Sequence, residues 1–189
     1  MSEQTAYAAA RMRVLAELDA ALSAVSSESV DALVSAILEA EQVFFVGVGR
    51  VLLSLQAVAK RLAHLGIRAH YVGEITEPAI TPKDLLIVGS GSGSTLFPLG
   101  IAKIAQQKGA KVVHIGSNPQ SELTSIAAFM VRIPVRTKQY LPDEIDSCQP
   151  MTSLFEQSLL LLGDIVAMQI IERKQLVMRS LWQYHANLE

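Results

Sequence analysis

The stretch Gly89-Ser90-Gly91-Ser92-Gly93-Ser94-Thr95 alternates glycine with hydroxyl side chains and ends where a helical pattern begins. Glycines let a backbone approach a ligand closely, the N–H groups at a helix start point outward with partial positive charge, and Ser and Thr hydroxyls add neutral donors. Such a cup suits a phosphate group, and Ser90, Gly91, Ser92, Gly93 and Thr95 are its candidate phosphate-binding residues. A second glycine turn, Gly47-Val48-Gly49-Arg50, follows another apolar run, and Gly49 and Arg50 are candidate substrate-binding residues. A flexible Gly-Ser linker would share the composition of the first turn, but a linker has no reason to sit between a buried strand and a helix. The dinucleotide fingerprint fails at its third glycine, where Leu52 stands. No Gly-Lys-Ser or Gly-Lys-Thr follows the Gly89 to Thr95 loop, so a nucleoside triphosphate loop is not indicated.

The elements around these turns follow from hydrophobic periodicity. Short apolar runs at Val43 to Val46, Ala69 to Val72, Leu85 to Val88, Lys111 to Ile115 and Phe129 to Ile133 read as strands. Helical patterns run from Val51 to Leu65 and from Leu96 to Lys108, stopped by Gly66 and Gly109. Strands divided by helices predict an α/β class with a doubly wound, five-stranded parallel sheet in the order 2-1-3-4-5, flanked by helices. In that order the first and third strands are neighbours at the switch point, so both glycine turns open into one crevice. Two helices fill residues 1–40, with Leu15, Leu18, Leu22 and Val25 on one stripe. After a loop from Pro134 to Pro150, a long helix runs from about Thr152 to Lys174, and a shorter one carries Trp182 and Tyr184. The chain reads as a single domain over 1–189, with N-terminal helices at 1–40, a sheet core at 42–134 and C-terminal helices at 151–189.

Composition excludes several classes. Half of the 189 residues are hydrophobic and 18% are charged, which is too apolar for a disordered chain. The net charge is −2 and no dense Lys/Arg cluster occurs, so no nucleic-acid partner is expected. Cys148 is the only cysteine and the four histidines show no metal-ligand spacing, so no metal, no cofactor and a cytoplasmic location are expected. The opening residues carry Glu3 early and lack a basic start followed by an apolar run, and the late apolar run is interrupted by Gly163 and Asp164, so neither a signal peptide nor a membrane helix is expected.

With these residues in place, the sequence resembles a known family. Gly89 to Thr95 looks like the phosphate loop of the sugar isomerase (SIS) domain, in which the residues at Ser90, Ser92 and Thr95 hold the substrate's phosphate. Within that family the likeness is to the 6-phospho-3-hexuloisomerases. It rests on Gly47-Val48-Gly49-Arg50, Arg61-Leu62-Ala63-His64-Leu65-Gly66, Tyr71-Val72-Gly73-Glu74, Gln149-Pro150-Met151 running into Leu154-Phe155-Glu156-Gln157, and the ending His185-Ala186-Asn187-Leu188-Glu189. Val51-Leu52 stands where the family usually has Ser-Gly, and Thr152 where a glycine is usual.

The resemblance implies an isomerase that moves a carbonyl from C3 to C2 of a hexulose 6-phosphate through an enediol, yielding fructose 6-phosphate, within a ribulose monophosphate type of carbohydrate metabolism. It implies Glu156 as the catalytic base, and a carboxylate early in an otherwise apolar helix is costly to bury without a task. It also implies His185 as a catalytic residue near the sugar, reached from a neighbouring subunit of a homo-oligomer, dimer or tetramer. His64 and His114 read as structural, His114 lying away from the switch point. The alternatives are another phosphosugar isomerase of the family, or a non-catalytic sugar-phosphate sensor.

Overall fold

The computed structural model describes residues 3–188. The chain runs α1 (Glu3–Ser23), α2 (Ser27–Glu39), β1 (Val43–Val46), α3 (Gly49–Ala63), β2 (Ala69–Tyr71), β3 (Leu85–Gly89), α4 (Leu96–Gln107), β4 (Lys111–Gly116), α5 (Glu122–Ile126), β5 (Phe129–Arg132) and α6 (Ser153–Arg173), with a 3₁₀ segment at Met178–Tyr184. All strand pairs are parallel, as the alternation of the sequence predicts, and the sheet order is β2-β1-β3-β4-β5, that of the expected doubly wound sheet.

Alternating side chains serve the two faces of the sheet. Val43, Phe45, Leu85 and Ile87 face a core made with α2, α3 and α6, whereas Phe44, Val46, Leu86 and Val88 face α4. Both faces are therefore buried, which is why these strands read as unbroken apolar runs. Ser26 caps α2 by accepting from the Ser29 amide at 3.3 Å, and Ser121 caps α5 by accepting from the Thr124 amide at 3.1 Å. In α1, Leu18 and Leu22 pack against the core, but Leu15 is 59% exposed and does not. The short helix α5 was not expected from sequence, and the segment carrying Trp182 is 3₁₀ rather than α.

Helix α6 lies at the centre of one layer. Its length and composition are those of a membrane-crossing helix, with a mean hydropathy of 1.6, so Gly163 and Asp164 do not interrupt the run as expected. Those residues have other tasks. A Cβ at Gly163 would lie 2.2 Å from a Val58 methyl, so α3 and α6 meet there with no room for a side chain. Asp164 pairs with Arg61 at 3.3 Å. Over half of the apolar window is buried inside the protein, the pattern of a core helix.

Candidate functional site

The glycine-hydroxyl loop leaves β3 at the carboxyl end of the sheet and delivers the chain into α4. The Ser90 amide donates to the Ile115 carbonyl at 3.0 Å, tying the loop start to β4. The Gly93 amide turns back to the Ser90 carbonyl at 3.2 Å and to the Ser90 hydroxyl at 3.1 Å. The Ser90 and Thr95 hydroxyls lie 3.1 Å apart, and the Ser92 hydroxyl accepts from the Ser94 hydroxyl at 3.2 Å. Ser90 and Ser92 are buried, and Thr95 precedes the first turn of α4, whose amides have no intrahelical partners. Hydroxyls and helix-start amides thus converge on one small volume.

Gly93 takes a φ of +62, and a Cβ there would lie 2.0 Å from the Ser121 hydroxyl oxygen. Only glycine meets both conditions. A Cβ at Gly91 would lie 2.9 Å from a Thr137 methyl and 3.8 Å from the Phe155 ring, so α6 and the following loop press on the same turn.

The second wall of the crevice is the Gly49-Arg50 turn with the start of α6. Glu156 lies in the first turn of α6 and is buried. Its Oε2 accepts from Nε of Arg50, its Oε1 accepts from the Thr152 hydroxyl at 2.8 Å, and its backbone carbonyl accepts from the Ser54 hydroxyl at 2.9 Å. Arg50's side chain is 64% exposed against 9% for Glu156, so a fixed carboxylate faces a guanidinium free to swing. Val51 packs a methyl against both turns, within 3.2 Å of a Cβ built at Gly47 and 2.9 Å of one built at Gly89. Valine therefore offers methyl groups, and no hydroxyl, between the two turns.

Three supports were not foreseen. His114 was expected away from the switch point, but β4 lies next to β3 and His114 pairs with Val88, two residues before Ser90. Its Nε2 is 2.8 Å from the Ser90 carbonyl, which can only accept, so Nε2 carries the proton and Nδ1 accepts from the Thr124 hydroxyl at 2.9 Å. Burial lowers the imidazole's pKa to about 4 against the smaller raising effect of the Ser90 bond, so His114 is a neutral brace beneath the loop.

Glu144 gathers the loop after β5. Its carboxylate accepts from the Ser117 hydroxyl at 2.8 Å, the Thr137 amide at 3.1 Å and hydroxyl at 3.0 Å, and the Leu141 amide at 3.0 Å. Glu17 of α1 does the same for the turn before α6, accepting from the Ser147 hydroxyl at 2.6 Å, the Cys148 amide at 2.8 Å and the Gln149 side-chain amide at 3.0 Å. An acidic residue in a loop or an exposed helix carries no sequence signal for such partners.

The structure brings Gly49, Arg50, Ser90, Gly91, Ser92, Gly93, Thr95 and Glu156 to the same end of the sheet. It does not bring His185 there. That ring stacks on His64 with centroids 5.2 Å apart and lies beside Trp182, at the far end of α3 from Arg50. At 1.5 Å rise per residue the separation along α3 is about 20 Å. The Tyr184 ring seats on Gly66, and a cavity of about 510 Å³ there is lined by Arg61, His64, Met168, Trp182 and His185. Burial first, then the charges of Lys60, Arg61 and His185, lower the pKa of His64. Among the described residues no group of three or more His, Cys, Asp or Glu side chains is placed to hold a metal ion.

Comparison with known proteins adds to this geometry. Residues 36–163 match the family described as the SIS domain. The 3-hexulose-6-phosphate isomerase of Bacillus subtilis is 38% identical over 176 residues, covering 93% of this chain and 95% of that protein. The protein of the same name from Mycobacterium gastri is 38% identical, covering 87% of this chain and 82% of its own length. A Methanococcus jannaschii protein, whose crystal structure is described as inferring a molecular function of 3-hexulose-6-phosphate isomerase, superposes with a TM-score of 0.80 at 30% identity, covering 94% of this chain and 97% of that one.

Proposed function

This chain belongs to the SIS domain family, and we propose that within it the protein is a phosphosugar isomerase interconverting 3-hexulose 6-phosphate and fructose 6-phosphate. The observation that carries the reading is Glu156, a buried carboxylate on the first turn of α6 whose neighbour Phe155 packs beneath the glycine-hydroxyl loop. A phosphate gripped by that loop leaves the sugar carbons lying toward the carboxylate.

One base serves the carbon-bound proton and a second group the oxygen-bound one. Glu156 takes the proton from C2, the C2–H electrons form the C2=C3 double bond of an enediol, and the C3 carbonyl oxygen takes a proton from the second group to become a hydroxyl. Glu156 then returns a proton to C3 as the C2 hydroxyl gives its own proton back to the second group and becomes the carbonyl. Ser90, Ser92 and Thr95 hold the phosphate with the loop amides, and Gly49 lets α3 begin close to the substrate. Arg50, bonded to Glu156 here, is exposed enough to turn to a substrate oxygen when the sugar enters. A positioned base of this kind is typically worth roughly 10²- to 10⁴-fold in rate.

His185 serves the hydroxyl proton transfer from a neighbouring copy, because its own chain holds it at the wrong end of α3. Exposed Leu161, Ile165 and Met168 on α6, with Met178 and Trp182 beyond it, give a homo-oligomer the apolar surface to bury. The exposed free thiol of Cys148 suits the cytoplasm.

An isomerase assay with a panel of pentose and hexulose phosphates tests the function. Turnover of 3-hexulose 6-phosphate above all others supports it, and turnover of a different ketose or aldose phosphate reassigns the substrate. Tight binding with no turnover of any sugar would favour a sensor, the reading that the missing hydroxyl at Val51 leaves a place for.

A further inference from the structure

We propose that Glu17 of α1 is a positioning residue for Glu156, holding the turn that sets the catalytic carboxylate's direction. The inference rests on the reading of Glu156 as the base.

The connection is continuous. Glu17 gathers three donors from Ser147, Cys148 and Gln149, and the Ser147 hydroxyl accepts in turn from the Gln149 amide at 3.0 Å. Ser147 and Gln149 are buried, so the clasp is part of the packed body and not a surface pair. Pro150 follows with its φ fixed by the ring, and its carbonyl accepts from the Ser153 amide at 3.2 Å. Thr152 then precedes α6, its carbonyl accepting from the Glu156 amide at 3.1 Å and its hydroxyl donating to Glu156 Oε1 at 2.8 Å. Every step from Glu17 to the carboxylate is a hydrogen bond or the covalent chain.

The turn also needs holding. Met151 takes a φ of 55, a left-handed conformation that a side chain resists, so the segment would relax from this shape unless fixed at both ends. Packing of Phe155 and Leu159 fixes the α6 end, and Glu17 fixes the other. Around this point α1 has little else to do, since Met12 and Leu15 are exposed and its apolar contacts begin at Leu18. Burial works against ionisation of Glu17, but the hydrogen bonds outweigh it and lower its pKa to about 2. The clasp therefore keeps its charge well below the pH at which an ordinary glutamate takes up its proton.

The test is steady-state kinetics on the full chain with Glu17→Gln, Thr152→Ala and the double variant, with 3-hexulose 6-phosphate as substrate. Glu17→Gln is expected to lower kcat roughly tenfold with KM changed less than about twofold, because orientation of the base is lost while the phosphate grip is untouched. Thr152→Ala should lower kcat similarly, and the double variant should be no slower than the worse single one, since both break the same chain of contacts. Ser147→Ala, which removes one of the three donors to Glu17 together with the acceptor of the Gln149 amide, should give a smaller loss of kcat in the same direction and guards against a Glu17 variant that fails to fold. Wild-type kcat in folded Glu17→Gln, or losses that multiply in the double variant, would overturn the positioning role. If Glu156→Gln is itself as fast as wild type, it is the reading of the base that falls; if Glu156→Gln is inactive and Glu17→Gln is fast, only the positioning role falls.

Discussion

Arg50 and Glu156, 106 positions apart in the chain, meet through a guanidinium N–H and a carboxylate oxygen where the starts of α3 and α6 face each other. The partner that can move is the arginine, and the one that is fixed is the acid. Under the proposed function, a substrate entering between them would turn Arg50 aside and find the carboxylate already in place.

Replacing that acid separates binding from chemistry. Glu156→Gln keeps the shape and the bond from Thr152 but removes the base, so kcat should fall at least about a hundredfold while KM changes little. In deuterated water the wild-type enzyme should place deuterium at C3 of fructose 6-phosphate, at least in part, because a carboxylate proton exchanges before it returns. A glutamine variant with undiminished kcat would remove Glu156 from the mechanism.

Two neighbours in the phosphate loop should fail differently. Ser92→Ala removes one hydroxyl and should weaken binding of a phosphate ester by about 1 to 3 kcal/mol with the fold intact, the range for a hydrogen bond to a charged group. Gly93→Ala puts a methyl onto the Ser121 side chain at a φ of +62, so it should lower the melting temperature as well as the affinity. Calorimetry of both variants with inorganic phosphate and a sugar phosphate makes the comparison, and equal behaviour of the two would count against this account of the loop.

His114 gives the fold an acid limit. Its folded pKa of about 4 is below its ordinary 6.5, so the unfolded chain binds the proton first as pH falls. The stability it contributes is complete above pH 6.5 and is lost progressively from there down to pH 4, amounting to about 3 kcal/mol. Thermal melts should show a decline over that range that is flattened in His114→Gln. Glu17 adds a second, lower window between its ordinary 4.5 and about 2, in which stability is again lost as pH falls. A melting curve unaffected by His114→Gln between pH 6.5 and 4 would contradict the neutral brace.

If His185 acts across a subunit boundary, two inactive proteins should repair each other. Mixing Glu156→Gln with His185→Ala under subunit exchange should restore on the order of a quarter of wild-type activity, since a quarter of randomly paired sites carry both intact groups. No recovery from oligomers shown to have exchanged, or a fully active monomer in sedimentation, would remove the shared site.

Much of this arrangement was legible in the chain because both sheet faces are covered. That burial makes strands such as Leu85 to Val88 continuous apolar runs, from which the parallel α/β class followed; the order 2-1-3-4-5 belongs to the doubly wound architecture expected of that class and is the one observed. The loop from Ser90 to Thr95 was legible for a local reason, since glycine and hydroxyl residues alternate just where a strand gives way to a helix. Glu17 and Glu144 were not, because their partners are fixed by tertiary packing; Glu17 reaches a residue 130 positions away. His114 was misplaced although its signal was present: in a sheet where the fourth strand adjoins the third, a polar residue level with Val88 must lie under the loop that follows. The five-residue α5 buries only Leu123 and leaves too short a pattern to detect.

The absent side chain at Gly163 has a consequence for the crevice some two turns away along α6. Val58 rests its side chain on the bare backbone of Gly163, which brings α3 and α6 close together, and the same two helices carry Arg50 and Glu156 at their upper ends. The contact works as a caliper: whatever width is set at residue 163 is passed along two stiff rods to the pair that the proposed function places beside the sugar. A methyl group added deep in the apolar layer would thus alter the gap between acid and guanidinium without touching either, so under the proposed function the core is also the gauge of the site.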